Sequence, residues 1–504
     1  MRLLDGWRIS PVNYSGFKLK AKTSAIFSGF FLFLVLAGGG CADAMAAPSQ
    51  SPDGEAEVHL SLDEAVSLGI RNNRGIQSAY LQRVSQKFDL YVSEGKFFPK
   101  LTITSSHTNN ATDGVKSRNT GLTAAATMSL PTGAELTASS TNTRTTGSSA
   151  SSTALTLTQP LLRNGGIDAS MASVRTARLD EQANLLNLKE TISQTVVQII
   201  FAYRELLRAQ EQKNIAVAAL KRSRDLYEVN KALIEAGRMA EVEIIQTEAQ
   251  VANQEVALEE ASNQIDASRL ALLNLLALEP SAAIVASASE VATVKAVGVQ
   301  QALAVALEKQ PDYLISTLAV ERAKINLDFA KNQRLWDVSL IAGQTRTQGG
   351  GTAIVPTSNS SYAGLQLSIP LGDRTLEQAV VRASVELKNQ NLRNQEARQV
   401  LEQRIRDAVR NVQTRWRQLE LSKKARELTV LKLNAENEKL KVGRSSNFQI
   451  LSFEGDLRNA ENAQLNAQIA YLNALTDLDD KMGKILEAWQ IPMVETADLS
   501  TYEN

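Results

Sequence analysis

Two proline-free runs constrain this chain more than any other feature. Residues Ile167 to about Glu235 and Leu376 to about Lys441 contain no proline, and as α-helices each would extend on the order of 100 Å at 1.5 Å per residue. The first carries Leu185, Leu188, Ile192, Val196, Ile199, Tyr203 and Leu206 at three- and four-residue intervals. The second repeats the habit with Leu387, Leu392, Val400, Ile405, Val409, Val412, Trp416 and Leu419. Such stripes belong to helices packed on helices, not to independent globules.

Each run opens from the same kind of junction. Leu155 to Gly166 reads LTLTQPLLRNGG, and about 210 positions later Leu365 to Arg374 reads LQLSIPLGDR. Both are alternating segments that reach a proline, Pro160 or Pro370, and then change period. Proline is tolerated at a strand end or in the first turn of a helix, so both are strand-to-helix junctions. The repeated order of elements argues for duplication of one unit.

The segments ahead of these junctions are weak strands. KLTITSSHT (Lys100 to Thr108) and STALTLTQP (Ser152 to Pro160) alternate apolar or β-branched residues with small polar ones. Between them Gly121 to Arg144 predicts a hairpin turning at Pro131, Thr132 and Gly133. The second half offers only Trp336 to Thr345 and Tyr362 to Pro370. Faces rich in Ser, Thr, Ala and Gly suit a membrane barrel better than a sandwich core. Two or four strands cannot close around a channel, so membrane strands here require several chains to share one barrel.

Each long run ends at a glycine, Gly237 or Gly443, and a shorter helix returns, reaching about Leu278 and Trp489. Helices are also expected before the strands, within Leu60 to Pro99, where Ser61 or Asp63 caps the start, and within Val299 to Leu340. A returning helix and a strand-preceding helix together match one long helix in reach. They would stack end to end beside it, with both glycines at one far tip.

At the amino terminus Lys18, Lys20 and Lys22 precede an uncharged apolar run, Ser24 to Gly40, and then CADAMAA. That order is a secretory signal, with Ala44 and Ala46 offering a small-x-small cleavage site; a retained membrane anchor is the competing reading. Cys41 is the single cysteine, so an internal disulfide is ruled out, and it reads as part of the discarded signal in preference to a lipidation site. The 54 basic and 54 acidic residues cancel, which argues against nucleic-acid binding. His59 and His107 stand apart from Cys41, and no nucleophile motif or phosphate loop occurs, so neither an enzyme nor a cofactor is expected.

The two junctions, their helical runs and the matched tips together resemble the TolC-like outer-membrane efflux family, from about Leu60 to Leu486. The resemblance implies a mainly α fold with a membrane β region: a homotrimer whose α-helical barrel joins a shared outer-membrane β-barrel. It implies a passive conduit of a tripartite efflux or type I secretion system, in outer-membrane lipid of a Gram-negative-type envelope. The implied partners are a periplasmic adaptor (membrane fusion) protein and an inner-membrane RND or ABC transporter. Gly237, Arg238, Gly443 and Arg444 would form the periplasmic tip or adaptor contact. Gln449 and Ser452 match positions that line the entrance in the family, and both lack the charge of an acidic ring. The family usually gives four membrane strands per chain, so Gly121 to Arg144 is expected as an accessory or extended hairpin. The organisation expected is a signal peptide at 1–46, a lead at 47–59, a first repeat at 60–280, a linker at 281–298, a second repeat at 299–489 and a tail at 490–504. An exported structural coiled coil or adhesin-like surface protein is the alternative function.

Overall fold

The computed structural model describes residues 58–112, 115–287, 292–294, 297–351, 357–442 and 444–491. The described residues all belong to one compact unit, Glu55–Asn504. The segment expected as a signal peptide, Cys41 and Gly443 lie outside the described residues.

The element order shows the duplication. The first repeat runs β1 (Val58–Leu60), α1 (Leu62–Asn72), α2 (Arg74–Glu94), four strands, then α3 (Ile167–Glu235) and α4 (Glu243–Leu276). A short strand β6 (Ile284–Ala286) lies within the stretch expected as linker and pairs in parallel with β1. The second repeat runs α5 (Val299–Lys309), α6 (Pro311–Gln333), two strands, α7 (Thr375–Lys441) and α8 (Asn447–Lys481), followed by α9 (Ile485–Ala488). Matched helices have nearly matched lengths, with 69 and 67 residues in α3 and α7 and 34 and 35 in α4 and α8.

Local chemistry sets these boundaries. Ser61 caps α1 in a reciprocal box: its Oγ accepts from the Glu64 amide at 3.3 Å while the Glu64 carboxylate accepts from the Ser61 amide at 2.8 Å. Asn73 ends α1 and caps α2, its Oδ1 accepting from Gly75 N and Ile76 N. Gln310 does the same between α5 and α6, where Pro311 takes the first helical position that has no need of an N–H.

Stacking end to end is realised at a joint midway along the long helices. Helices α1, α2 and α4 pack on α3, while α5, α6 and α8 pack on α7. In the first repeat Asn73 donates to Leu275 O at the end of α4, and the core shared by α1, α2, α3 and α4 gathers Ile76, Ile199, Leu206 and Leu272 at 1% exposure or less. In the second, α8 ends against the α5–α6 break, where Gly483 at φ +67° sits so close that an added Cβ would lie 2.6 Å from Lys309 O. The Tyr203 hydroxyl, 2.9 Å from both Leu60 O and Ser287 O, fastens α3 to the loop ends of the β1–β6 pair.

The strands form one antiparallel sheet of six in the order β2-β3-β4-β5-β7-β8: β2 (Lys100–Thr112), β3 (Val115–Ser129), β4 (Glu135–Thr145), β5 (Ser148–Pro160), β7 (Asp337–Gly351) and β8 (Ser358–Ser368). This corrects the expectation of an accessory hairpin. β3 and β4 are paired along their lengths between β2 and β5, because β2 bonds to β3 and not to β5. Their Pro131–Gly133 turn is tied to the junction, with Gly166 N donating to Thr132 O at 3.0 Å and Gln159 reaching the Thr132 hydroxyl and carbonyl. The β5–β7 ladder joins the repeats and continues past Pro160, with Leu161 N donating to Val338 O and Arg163 N to Trp336 O.

Strand alternation gives the sheet two unlike faces. One carries Leu101 and Ile103 of β2, Leu122 of β3, Leu155 and Leu157 of β5, Leu340 of β7 and Leu365 and Leu367 of β8, all exposed. The opposite face carries small Ser, Thr, Ala and Gly side chains and Tyr362, whose ring lies across Gly343. Along β5 and β7 the small-residue face is the more covered of the two, as on the concave side of a curved sheet, where side chains converge.

Replacing Tyr203 with Phe should lower the stability of the joint by about 1–3 kcal/mol, because the Ser287 carbonyl loses its hydroxyl donor in a covered site. Thermal unfolding followed by circular dichroism, with native-state hydrogen exchange of α1 and β6, measures the loss.

Candidate functional site at the helix tips

The two tips are built by one backbone device. The Arg238 amide donates to Leu233 O and the Arg444 amide to Lys439 O, both at 2.8 Å, closing a six-residue loop at the end of each long helix; at the first, Gly237 N also donates to Ile234 O, completing a Schellman end. Gly237 sits between at φ +71°, a left-handed conformation that carries a strain for any residue with a Cβ. Both arginine side chains are exposed, and neither forms an ion pair with a described residue. In the first turn of α8, Gln449 is half-buried, its amide donating to the capping Ser446 hydroxyl at 3.3 Å, while Ser452 is exposed.

The junction prolines differ. Pro160 is the last residue of β5 and half-buried opposite Ser339, whereas Pro370 lies two residues beyond β8 and is exposed. Asp373, just ahead of the Arg374 N-cap of α7, accepts from the Thr375 hydroxyl at 2.6 Å and its amide at 2.8 Å. Those bonds hold its carboxyl below the usual range, with a smaller contribution from Arg163 of the other repeat.

Beneath the tip lies a buried polar triad that the periodicity reading passed over. Asn230 of α3, Thr247 of α4 and Asn447 of α8 are 0%, 0% and 2% exposed. Asn230 Nδ2 donates to Thr247 Oγ1 at 2.7 Å and to Asn447 Oδ1 at 2.9 Å, and Asn447 Nδ2 donates to Thr247 Oγ1 at 3.0 Å and Glu243 O at 3.3 Å. Three helices from two repeats thus share one hydrogen-bonded node. Polar side chains at core positions fix register at some cost in stability, and the Asn230 carbonyl oxygen is left without a partner. The available signal was Asn230 continuing the Leu220, Ser223, Leu226 stripe at core spacing.

Charged pairs surround the node. Arg222 of α3 bonds Glu454 of α8 at 2.7 Å and reaches Glu461 at 3.5 Å; burial pushes the Glu454 carboxyl up despite that guanidinium. On α7, Glu436 accepts from Lys439 at 2.8 Å and Ser445 at 2.7 Å, and these bonds hold its carboxyl below the ordinary value near 4.5. Lys432 pairs with Asp456 and lies 3.6 Å above the Phe453 ring. Three further acidic residues of α3 are paired in the same manner: Glu181 with the buried Arg83, Asp180 with Arg322 and Glu205 with Arg208. Among the described residues no His, Cys, Asp and Glu group is arranged to hold a metal ion.

The sequence profile of the family described as outer membrane efflux protein matches residues 66–278, the first repeat. No curated protein sequence matches the chain. Among solved structures, the CmeC outer membrane channel of Campylobacter jejuni is similar at TM-score 0.63 and 16% identity, over 87% of this chain and 88% of that one. The outer membrane protein VceC of Vibrio cholerae gives 0.64 and 16%, over 84% and 96%. The open state of the MtrE outer membrane channel of Neisseria gonorrhoeae gives 0.63 and 16%, over 84% and 89%. At these identities the likeness is one of fold.

Asn447→Ala should cost about 1–3 kcal/mol locally, since it leaves Asn230 and Thr247 short of a buried partner; faster hydrogen exchange in the first turns of α4 and α8, with the joint unchanged, is the expected reading. Glu436 carries a pH prediction. A carboxyl held below its unfolded value contributes stability that is complete above that value and lost as pH falls through the folded one. Protection of the α7–α8 turn should therefore decline as pH drops below about 4.5, and Glu436→Gln should flatten that dependence.

Proposed function

We infer that this chain, whose first repeat is that of an outer membrane efflux protein and whose fold throughout is of the TolC type, works as an outer-membrane channel in efflux or secretion. The sheet spans the membrane and the helices extend into the periplasm. The conduit is a ring of three copies, coupled through an adaptor to an inner-membrane RND or ABC transporter that supplies the energy. Passage through it is passive. No described helix is long and apolar enough to cross a membrane, so the spanning element of this reading is the sheet.

The observation that carries the ring is that the chain is open at both edges, at every level. The sheet ends at β2 on one side and β8 on the other. Unpaired strand edges cannot stand in lipid, because their backbone donors and acceptors find no water. The helices follow the same order, α2 on α3, α3 on α6 and α6 on α7. Edge helix α2 exposes Leu81, Phe88, Tyr91 and Val92, and edge helix α7 exposes Val381, Val385 and Leu392. The part of the α7 stripe that stays uncovered in one chain is thus the part a neighbour would bury. β2 follows α2 and β8 precedes α7, so one heterologous contact, α2–β2 against α7–β8 of the next copy, satisfies sheet and helices together and closes into a ring. Three copies of a six-stranded sheet make an eighteen-stranded wall, in the porin range where a water-filled lumen remains.

At the far end, Gly237, Arg238, Gly443 and Arg444 form the adaptor-facing rim, with Gln449 and Ser452 toward the opening. The rim is cationic and lacks an acidic ring at those two positions.

Light scattering of detergent-solubilised protein, corrected for bound detergent, should give a trimer with channel conductance in planar bilayers; a monomer conducting alone would contradict the ring. Arg238→Ala with Arg444→Ala should insert normally yet lose adaptor capture or alter the closed-state lifetime. Single replacements should be nearly silent, because an exposed ion pair contributes only about 0.2–1 kcal/mol. Unchanged capture and conductance in the double variant would make both arginines ordinary solvated charges.

A further inference from the structure

The apolar face of the sheet changes character toward the hairpin loops. Register and alternation place Lys116 and Arg118 of β3, Arg144 of β4 and Arg346 of β7 on the same face as the leucine belt. All four are exposed, and none forms an ion pair with a described residue. The described parts of the strands hold only two acids, Glu135 and Asp337, both on the opposite face at the helix-side ends. The one strand-borne cation outside this group, Lys100, also lies on the opposite face.

Belt and cations climb the sheet together. Across the perpendicular rows of the register, Arg346 is level with Thr153, Ser140, Ala124 and Ile103, so on β2 and β3 that row still belongs to the belt. Along β3 and β7, however, the order is the same: Arg346 lies two same-face positions beyond Ala342, and Arg118 two beyond Leu122. An oblique boundary of this kind becomes a level ring when strands tilt by about 35–45° to the barrel axis. Met128 to Arg118 spans ten residues of β3, roughly 33 Å along the strand and about 25 Å along the axis at that tilt. The apolar band of an outer-membrane barrel is about 25 Å tall. The cations therefore sit at its distal rim. Trp336 and Phe98, 57% and 62% exposed just ahead of β7 and β2, sit at the other rim, where aromatic girdles are found.

Resting on the membrane reading above, we propose that Arg118, Arg144 and Arg346, with Lys116, form an outward-facing girdle that binds the phosphate groups of acylated glycolipid in the outer leaflet. Arg118 and Arg144 are diagonal neighbours across the β3–β4 ladder, separated by about 7–8 Å, so two guanidinium groups can address one phosphorylated headgroup. A guanidinium fork matches phosphate oxygens in geometry as well as charge. Lipid so held fixes the depth of the wall and covers the β3–β4 surface that six strands, in place of four, add to each chain.

The test uses the full-length trimer and three probes: a bis-phosphorylated acylated disaccharide lipid, its phosphate-free counterpart, and vesicles of phosphatidylglycerol. Wild type, Arg118→Gln/Arg144→Gln/Arg346→Gln, the corresponding triple Lys variant and Lys100→Gln are floated with each and then washed in neutral detergent, and retained lipid is counted per trimer. All four proteins should float. Wild type and Lys100→Gln should retain the bis-phosphorylated lipid at least about tenfold over the other probes, the triple Gln variant should lose that preference, and the triple Lys variant should keep part of it. Equal retention by the triple Gln variant, or equal retention of phosphate-free lipid by wild type, overturns the girdle. Preference for phosphatidylglycerol overturns the glycolipid assignment. Failure of wild type to float with any probe would instead sink the membrane reading on which the proposal rests.

Discussion

Everything in this fold depends on covering two helices that are longer than any partner available to them. A stripe on the order of 100 Å long cannot be left to water, and here helices that meet end to end pack along each. That solution exposes helix termini midway, where backbone donors and acceptors need replacement partners. Asn73 and Gln310 supply side-chain acceptors at the breaks, and Asn73 also donates to the end of the opposing helix. The Tyr203 hydroxyl, the β1–β6 pair and the close approach of Gly483 to Lys309 tie the same level together. The polar chemistry of the joint is thus a consequence of helix length.

The same limit leaves the outer edges of one chain uncovered. Helices packed in a row bury their facing sides and leave the outer edges of the first and last exposed, as Phe88 and Tyr91 on one side and Val381 and Leu392 on the other are. The sheet inherits these edges because its terminal strands continue the terminal helices. In the ring proposed above, copies set edge to edge enclose a conduit. Its chemistry is then that of surfaces: small polar side chains on one face of the sheet, leucine and cations on the other, and two exposed arginines at the tip.

Much of this was legible in the sequence, and the reasons differ by element. The proline-free run between the first junction and its tip glycine marked out α3 from Ile167 to about Glu235, and the paired tip glycines located turns with matching hydrogen bonds at Arg238 and Arg444. The place of β3 and β4 was not legible, because weak dyad patterns say where a strand is but not which strand it bonds. Burial of Leu387 and Leu392 could not be assigned to one chain or to an assembly, since a stripe carries no label for its partner; Leu392 is 63% exposed here. The Asn230–Thr247–Asn447 node was hidden because polar residues interrupt an apolar pattern without revealing that they meet. Each miss concerns long-range pairing.

The central claim is that the uncovered edges β2 and β8 belong together between copies. Cys41 is the single native cysteine and precedes the described residues, so cysteines placed singly along β2 and along β8 report on that edge alone. Pairs on one face of the sheet, such as Thr104→Cys with Ser360→Cys, scanned in register through the folded protein in membranes, should give disulfide-linked dimers and closed trimers on oxidation, with alternate registers linking poorly. Links forming only within one chain, or no intersubunit link at any register, would contradict the account.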